Sequence, residues 1–200
     1  PYYSVSGSNY SRIIYDKIYD RLAYVQPDGT CLPRAAEKWE STEDGHAIVF
    51  TLNQKAAFHD GTPVTAQHWV ETFQLITDPA CEILGKTALS CLTGTDDTGA
   101  AVAGETLGVE AVDDYTLKLS FKQPTIPEEF LVDKNRDIYV LPTYLLKDIP
   151  ADQVVESDFW RKPIGSGPCQ FVSEVSGSNL VLEANKDYQL GAPGFDTLTI

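Results

Sequence analysis

Residues 58–69 read FHDGTPVTAQHW and bring together two of the chain's three histidines, His59 and His68, with Asp60 beside the first. An imidazole next to a carboxylate is the raw material of general acid–base chemistry, and histidines plus acids are the raw material of a metal centre. The spacing argues against both. Nine positions match none of the compact metal-binding spacings, in which two imidazoles share one helix face. Asp60-Gly61 is a turn signal and Pro63 keeps the chain extended. Thr65 then suits the N-cap of a helix, AQHWVETFQLI, whose Trp69, Phe73 and Ile76 repeat on one face before Asp78-Pro79 ends it. His68 falls at N3, where a capping box calls for Glu or Gln, so the box reads as incomplete. The stretch is a turn running into a helix, with the two histidines incidental to it.

The four cysteines, Cys31, Cys81, Cys91 and Cys169, contain no CxxC pair, which argues against zinc ribbons and thioredoxin-like chemistry. Cys81 and Cys91 are close enough in sequence to close a short loop, a link that the chain-entropy model values at roughly 2.5–3 kcal/mol. Four free thiols are the alternative, and spacing alone does not choose between them. GxSxG, HExxH and P-loop patterns are all missing, and no pair of acids stands out.

The surrounding elements alternate in type. Arg12–Leu22 (RIIYDKIYDRL) repeats Ile14, Ile18 and Leu22 at helical spacing. Turns are marked by Pro27-Asp28-Gly29 and Glu43-Asp44-Gly45, and Ala47–Leu52 (AIVFTL) is strand-like. Residues 82–104 read as an irregular excursion with room for a short helix. In Gly108–Phe121 a hairpin buries Tyr115, Leu117, Leu119 and Phe121 on one face. A short helix follows around Glu128–Val132, and then extended YVLP. KPIGSGP (162–168) is a Gly/Pro-rich connector, CQFVSEV and NLVLEAN flank a hairpin turn at Ser176-Gly177, and FDTLTI closes the sequence as a strand. Trp39, Trp69 and Trp160 are read as packing residues.

The formal net charge is −14, from 15 basic and 29 acidic residues. Such a chain repels phosphate backbones and anionic lipid, which argues against nucleic acid or membrane-surface partners. No apolar run is long enough to span a bilayer. Pro1 is not a translational start, so further sequence is expected ahead of it. A terminal strand carries the matching expectation that the chain is the N-terminal part of a longer protein.

Four blocks, in order, resemble one family. GTCLPRAAEKWESTEDGHAIVFTL, AAFHDGTPVTAQHWVETFQLITDP, GVEAVDDYTLKLSFKQP and KPIGSGPCQFVSEVSGSNLVLEANKDYQLGAPGFDTLTI are similar to the signature segments of the family 5 extracellular solute-binding proteins, the peptide- and nickel-binding subunits of ABC importers. The departures are Cys169 where the family usually has Tyr, Gln189 where it has Trp, and His68 where it has an acid. The resemblance implies a mixed α/β (α+β) fold, a type II periplasmic-binding-protein lobe with an inserted α+β subdomain. Residues 1–33 and 166–200 would belong to ligand-binding lobe I, and 34–165 to the insert.

It also implies a non-catalytic receptor without a cofactor, located outside the cytoplasm in the periplasm or as a cell-surface lipoprotein. Such a receptor takes a peptide or similar small ligand and passes it to ABC permease subunits. Its membrane contact would run only through a lipid anchor or the permease. By position, Tyr3, Ser4, Val5 and Ser6 would line the cleft, the alternative for them being an ordinary polar loop. A hydrolytic enzyme or a structural or adhesive surface module are the competing functions.

Overall fold

The computed structural model describes residues 9–83, 85–134, 137–175 and 178–200. Helix α1 (Asn9–Ile18) leads into a two-stranded antiparallel ribbon of β1 (Ala23–Val25) and β2 (Cys31–Pro33). Strands β3 (Ala36–Ser41), β4 (Ala47–Leu52), β5 (Val109–Asp113) and β6 (Thr116–Ser120) form a four-stranded antiparallel sheet in the order β3-β4-β6-β5. Helix α2 (Ala66–Thr77) packs across β5 and β6. The last strands, β7 (Cys169–Val175), β8 (Asn179–Ala184) and β9 (Thr197–Thr199), form an antiparallel meander. Short helical turns lie at Lys86–Cys91, between α2 and β5, and between β6 and β7 at Pro127–Glu129 (α3), Phe130–Lys134, Thr143–Leu146 (α4), Ala151–Glu156 and Asp158–Arg161.

The sheet-forming segments follow their side-chain alternation. In β4, Ile48, Phe50 and Leu52 are buried, and in β6 Leu117 and Leu119. These positions pair in register as Ile48↔Leu119 and Phe50↔Leu117, so one apolar face is continuous across the two strands. Phe130 caps that face, with ring centroids 6.3 Å from Phe50 and 5.3 Å from Phe121. Trp69 and Trp160 are fully buried, and Trp39 packs at the core's edge against Phe50.

Two sequence expectations shift, and the two readings of Cys81 and Cys91 separate. The first helix stops at Ile18 instead of reaching Leu22. Its last carbonyls are taken by tertiary partners: Arg34 Nη2 donates to the Asp16 and Tyr19 carbonyls (2.7 and 3.3 Å), and the Gly167 N–H donates to Ile18 (2.8 Å). A guanidinium at a helix C-terminus satisfies both the orphan carbonyls and the helix dipole. The helix expected near Glu128 begins earlier, at Pro127, and widens into a π-helical turn over Phe130–Lys134. Cys81 and Cys91 are free thiols: Cys81 is buried, and the Cys91 thiol turns back to the Ala88 carbonyl of its own helical turn (3.5 Å). The hairpin turn at Ser176-Gly177 lies outside the described residues, but β7 and β8 on either side pair as expected.

Candidate ligand-binding surface around the first helix

The HDG turn fixes the position of the connector that leads into β7. Gly61 adopts φ +87°, a left-handed conformation that favours glycine. The turn presents His59, whose ring lies between two backbone groups of the connector. Its Nδ1 accepts the Gly165 N–H (3.2 Å) and its Nε2 donates to the Gly167 carbonyl (3.0 Å), while its own N–H donates to the Gly165 carbonyl (2.8 Å). That pattern requires a neutral ring. Burial pushes its pKa down to about 4, more than the Gly167 bond and Asp60 restore.

The glycines are needed for close approach to α1. A Cβ at Gly165 would lie 1.9 Å from the Ile18 carbonyl oxygen, and one at Gly167 would lie 2.6 Å from that of Lys17. His59 is therefore a clamp joining the turn, the connector and the end of α1, not an incidental residue.

His68 is likewise in use. Its Nδ1 accepts the Thr65 N–H (3.2 Å), closing the capping box that the sequence left open. An imidazole nitrogen serves where a carboxylate oxygen usually does, and burial lowers the ring's pKa in the direction that keeps this acceptor available. Both histidines are structural, each holding a backbone N–H through Nδ1.

The same end of α1 is also fixed by charge. Asp20 (1% exposed) and Arg34 (6% exposed) form a buried ion pair. Tyr188 donates to Asp20 (3.1 Å), Arg34 Nε donates to the Tyr188 hydroxyl (3.3 Å), and Gln189 also donates to Asp20. Burial raises the Asp20 carboxyl and works against the Arg34 charge, but Asp20 and Tyr188 more than compensate and hold the guanidinium above its ordinary value. Gln189, a departure from the family pattern, is one of the donors that satisfies the buried carboxylate. Sequence reading missed this cluster, because Asp20, Arg34 and Tyr188 are far apart in the chain and carry no shared spacing.

With its C-terminal end held, α1 has an exposed side flanked by two clefts that share Ile13, Asp16 and Tyr24. One, of about 480 Å³, runs past Leu32 and Arg34 to Leu190. The other, of about 590 Å³, runs past Arg12 and Arg21 to Leu131 and Tyr139. Ile13, Tyr24, Leu32 and Leu190 are exposed apolar groups on this surface. Several of the charges among them are paired: Arg12 binds Asp137 through Nε and Nη2 (2.6 and 2.8 Å), Arg21 pairs with Asp16 (3.0 Å), and the Tyr139 hydroxyl donates to Asp16 (2.8 Å). Lys17, on the wall of the first cleft, has no ion-pair partner among the described residues. Apolar surface framed by a few fixed polar groups suits capture of a ligand. Tyr3, Ser4, Val5 and Ser6, the sequence candidates, lie outside the described residues.

Comparison with known proteins places the chain in a family. Residues 30–200 match the model of the bacterial extracellular solute-binding proteins, family 5. The periplasmic murein peptide-binding protein MppA of Escherichia coli K12 is 30% identical over 179 residues, which is 86% of this chain and 31% of MppA. The periplasmic oligopeptide-binding protein OppA of Salmonella typhimurium LT2 is 28% identical over 92% of this chain and 33% of its own length. In three dimensions, the oligopeptide-binding protein AppA from Bacillus subtilis, solved with a nonapeptide, superposes with a TM-score of 0.82 and 25% identity, covering 99% of this chain and 36% of AppA. The chain thus spans about a third of the length of the relatives it matches. Its fold is that of the type II periplasmic binding proteins, and the chain belongs to the family 5 bacterial extracellular solute-binding proteins.

Proposed function

We propose that the whole protein is an extracytoplasmic receptor that captures peptides and delivers them to the permease of an ABC importer. The observation that carries this reading is the likeness, over 99% of this chain, to a binding protein solved around a nonapeptide. The clefts beside α1 support it: their apolar groups would receive side chains, and their fixed polar groups would orient a backbone. Tyr3, Ser4, Val5 and Ser6 lie ahead of α1 in the sequence and would take part in holding the ligand. Residues 1–33 and 166–200 would form lobe I and 34–165 its insert. In support, the four-stranded sheet falls wholly within the insert and the β7–β9 meander wholly within the lobe.

Calorimetry of the full-length protein against a random peptide pool tests the reading, with mass spectrometry of the recovered peptides. Saturable binding of peptides that return intact is expected, with affinity lowered by Tyr3→Ala or Ile13→Asp. Cleavage of the pool, or no binding at all, overturns it.

A further inference from the structure

A third cleft, separate from those beside α1, opens on the insert between α2, α4 and the turn at Ala151. Its volume is about 400 Å³, within the range of small-ligand sites. One wall is the α2 face carrying His68, Glu71 and Leu75, which the helical repeat stacks in line. The other carries Thr143, Tyr144, Leu146, Lys147 and Ile149.

The polar groups here are only partly used. The Glu71 carboxylate accepts from Gln67 (3.0 Å) and from the Thr143 hydroxyl, both neutral donors. Among the described residues it has no cationic partner, and the Lys147 ammonium has no acceptor. The two line one cleft without forming an ion pair. The His68 ring, fixed by its Thr65 contact and by edge-on packing against Phe58 and Tyr144 (5.2 and 5.7 Å), must carry its proton on Nε2 because Nδ1 is accepting. That Nε2–H has no acceptor among the described residues. The cleft therefore combines an anion without a cationic partner, a cation without an anionic one, a spare neutral donor and the apolar side chains of Leu75, Leu146 and Ile149.

We propose that this cleft is a second, independent site that binds a free amino acid with an apolar side chain. The ligand's ammonium pairs with Glu71 and its carboxylate with Lys147, helped by the His68 Nε2–H, while its side chain covers the leucines. A ligand carrying both charges satisfies both walls at once, whereas a singly charged one leaves one wall unpaired. The site does not depend on peptide capture beside α1, and its test reads only the insert.

The experiment is an NMR titration of the full-length protein with L-leucine, following the Leu75 and Leu146 methyls and the His68 ring nitrogens. Saturable movement of all three is expected. Isocaproate, which lacks the amine, and isoamylamine, which lacks the carboxylate, should each bind about tenfold more weakly, as should leucine to Glu71→Gln or Lys147→Met. Glutamine at 71 keeps the acceptor for Thr143, and Lys147 is exposed, so both variants retain the fold. The proposal is overturned by the absence of saturable movement, by equal affinity for the singly charged analogues, or by titrations unchanged in both variants.

Discussion

The two larger sheets are built from the same antiparallel pairing yet are covered very differently. In the four-stranded sheet, β4 and β6 bury every second side chain, and Phe130 and α2 complete a core. In the β7–β9 meander, Leu180, Leu182 and Ala184 of β8 face inward, but Val172 and Val175 of β7 are exposed, as are Phe195 and Ile200 beside β9. Antiparallel sheets tolerate one open face, but an open face carrying apolar groups is a surface that other structure can cover. The four-stranded sheet is thus covered on its apolar face, within one hydrophobic core that continues to Leu180 and Leu182 of β8. The meander is held to it by the seam around His59 and by the buried cluster around Asp20.

The contrast is most sharply tested by truncation on each sheet. Phe50→Ala should destabilise by about 3–5 kcal/mol, whereas Val172→Ala should stay within about 0.5 kcal/mol. Urea unfolding measures both, and equal effects would break the comparison.

The seam between the two regions should be acid-sensitive. The folded state holds His59 neutral down to about pH 4, whereas the unfolded chain takes up its proton near pH 6.5. The unfolded state therefore binds more protons between these values. The contribution is fully present above pH 6.5 and is lost as pH falls toward 4, by about 3 kcal/mol in total. Unfolding free energy followed from pH 7 to 4 should fall more steeply in the natural chain than in His59→Gln, which has no proton to take up. Identical slopes would remove His59 from the seam.

Gly165→Ala should weaken the same seam at any pH. Its Cβ would collide with the backbone of α1, so connector and helix must part, at roughly 1–3 kcal/mol. Hydrogen exchange should rise in β7 and α1 more than in β4, and a uniform rise would show that the seam is not a separate unit.

The smallest effect belongs to the N-terminus of α2 alone. His68→Ala should destabilise by about 0.5–1 kcal/mol through loss of the cap, while His68→Glu restores an acceptor at N3 and should be close to neutral. Thermal unfolding of the two variants separates capping from mere packing of the ring.

Local rules made much of this legible. Strand alternation in Ala47–Leu52 and Gly108–Phe121, the Thr65 cap, the turn at Gly61 and the helix of Ala66–Thr77 each depend on residues within a few positions of one another, and each is found where the sequence puts it. The four ordered blocks likewise carried the family. What the sequence alone could not determine depends on partners outside the local element, most of them more than a hundred positions away. The His59 clamp needs Gly165 and Gly167, and the carboxylate of Asp20 needs Tyr188 and Gln189. The early stop of α1 needs Arg34 and Gly167 to take its carbonyls. A hydrogen bond or ion pair across such a separation leaves no periodicity in the chain, because its geometry exists only once the intervening elements have packed.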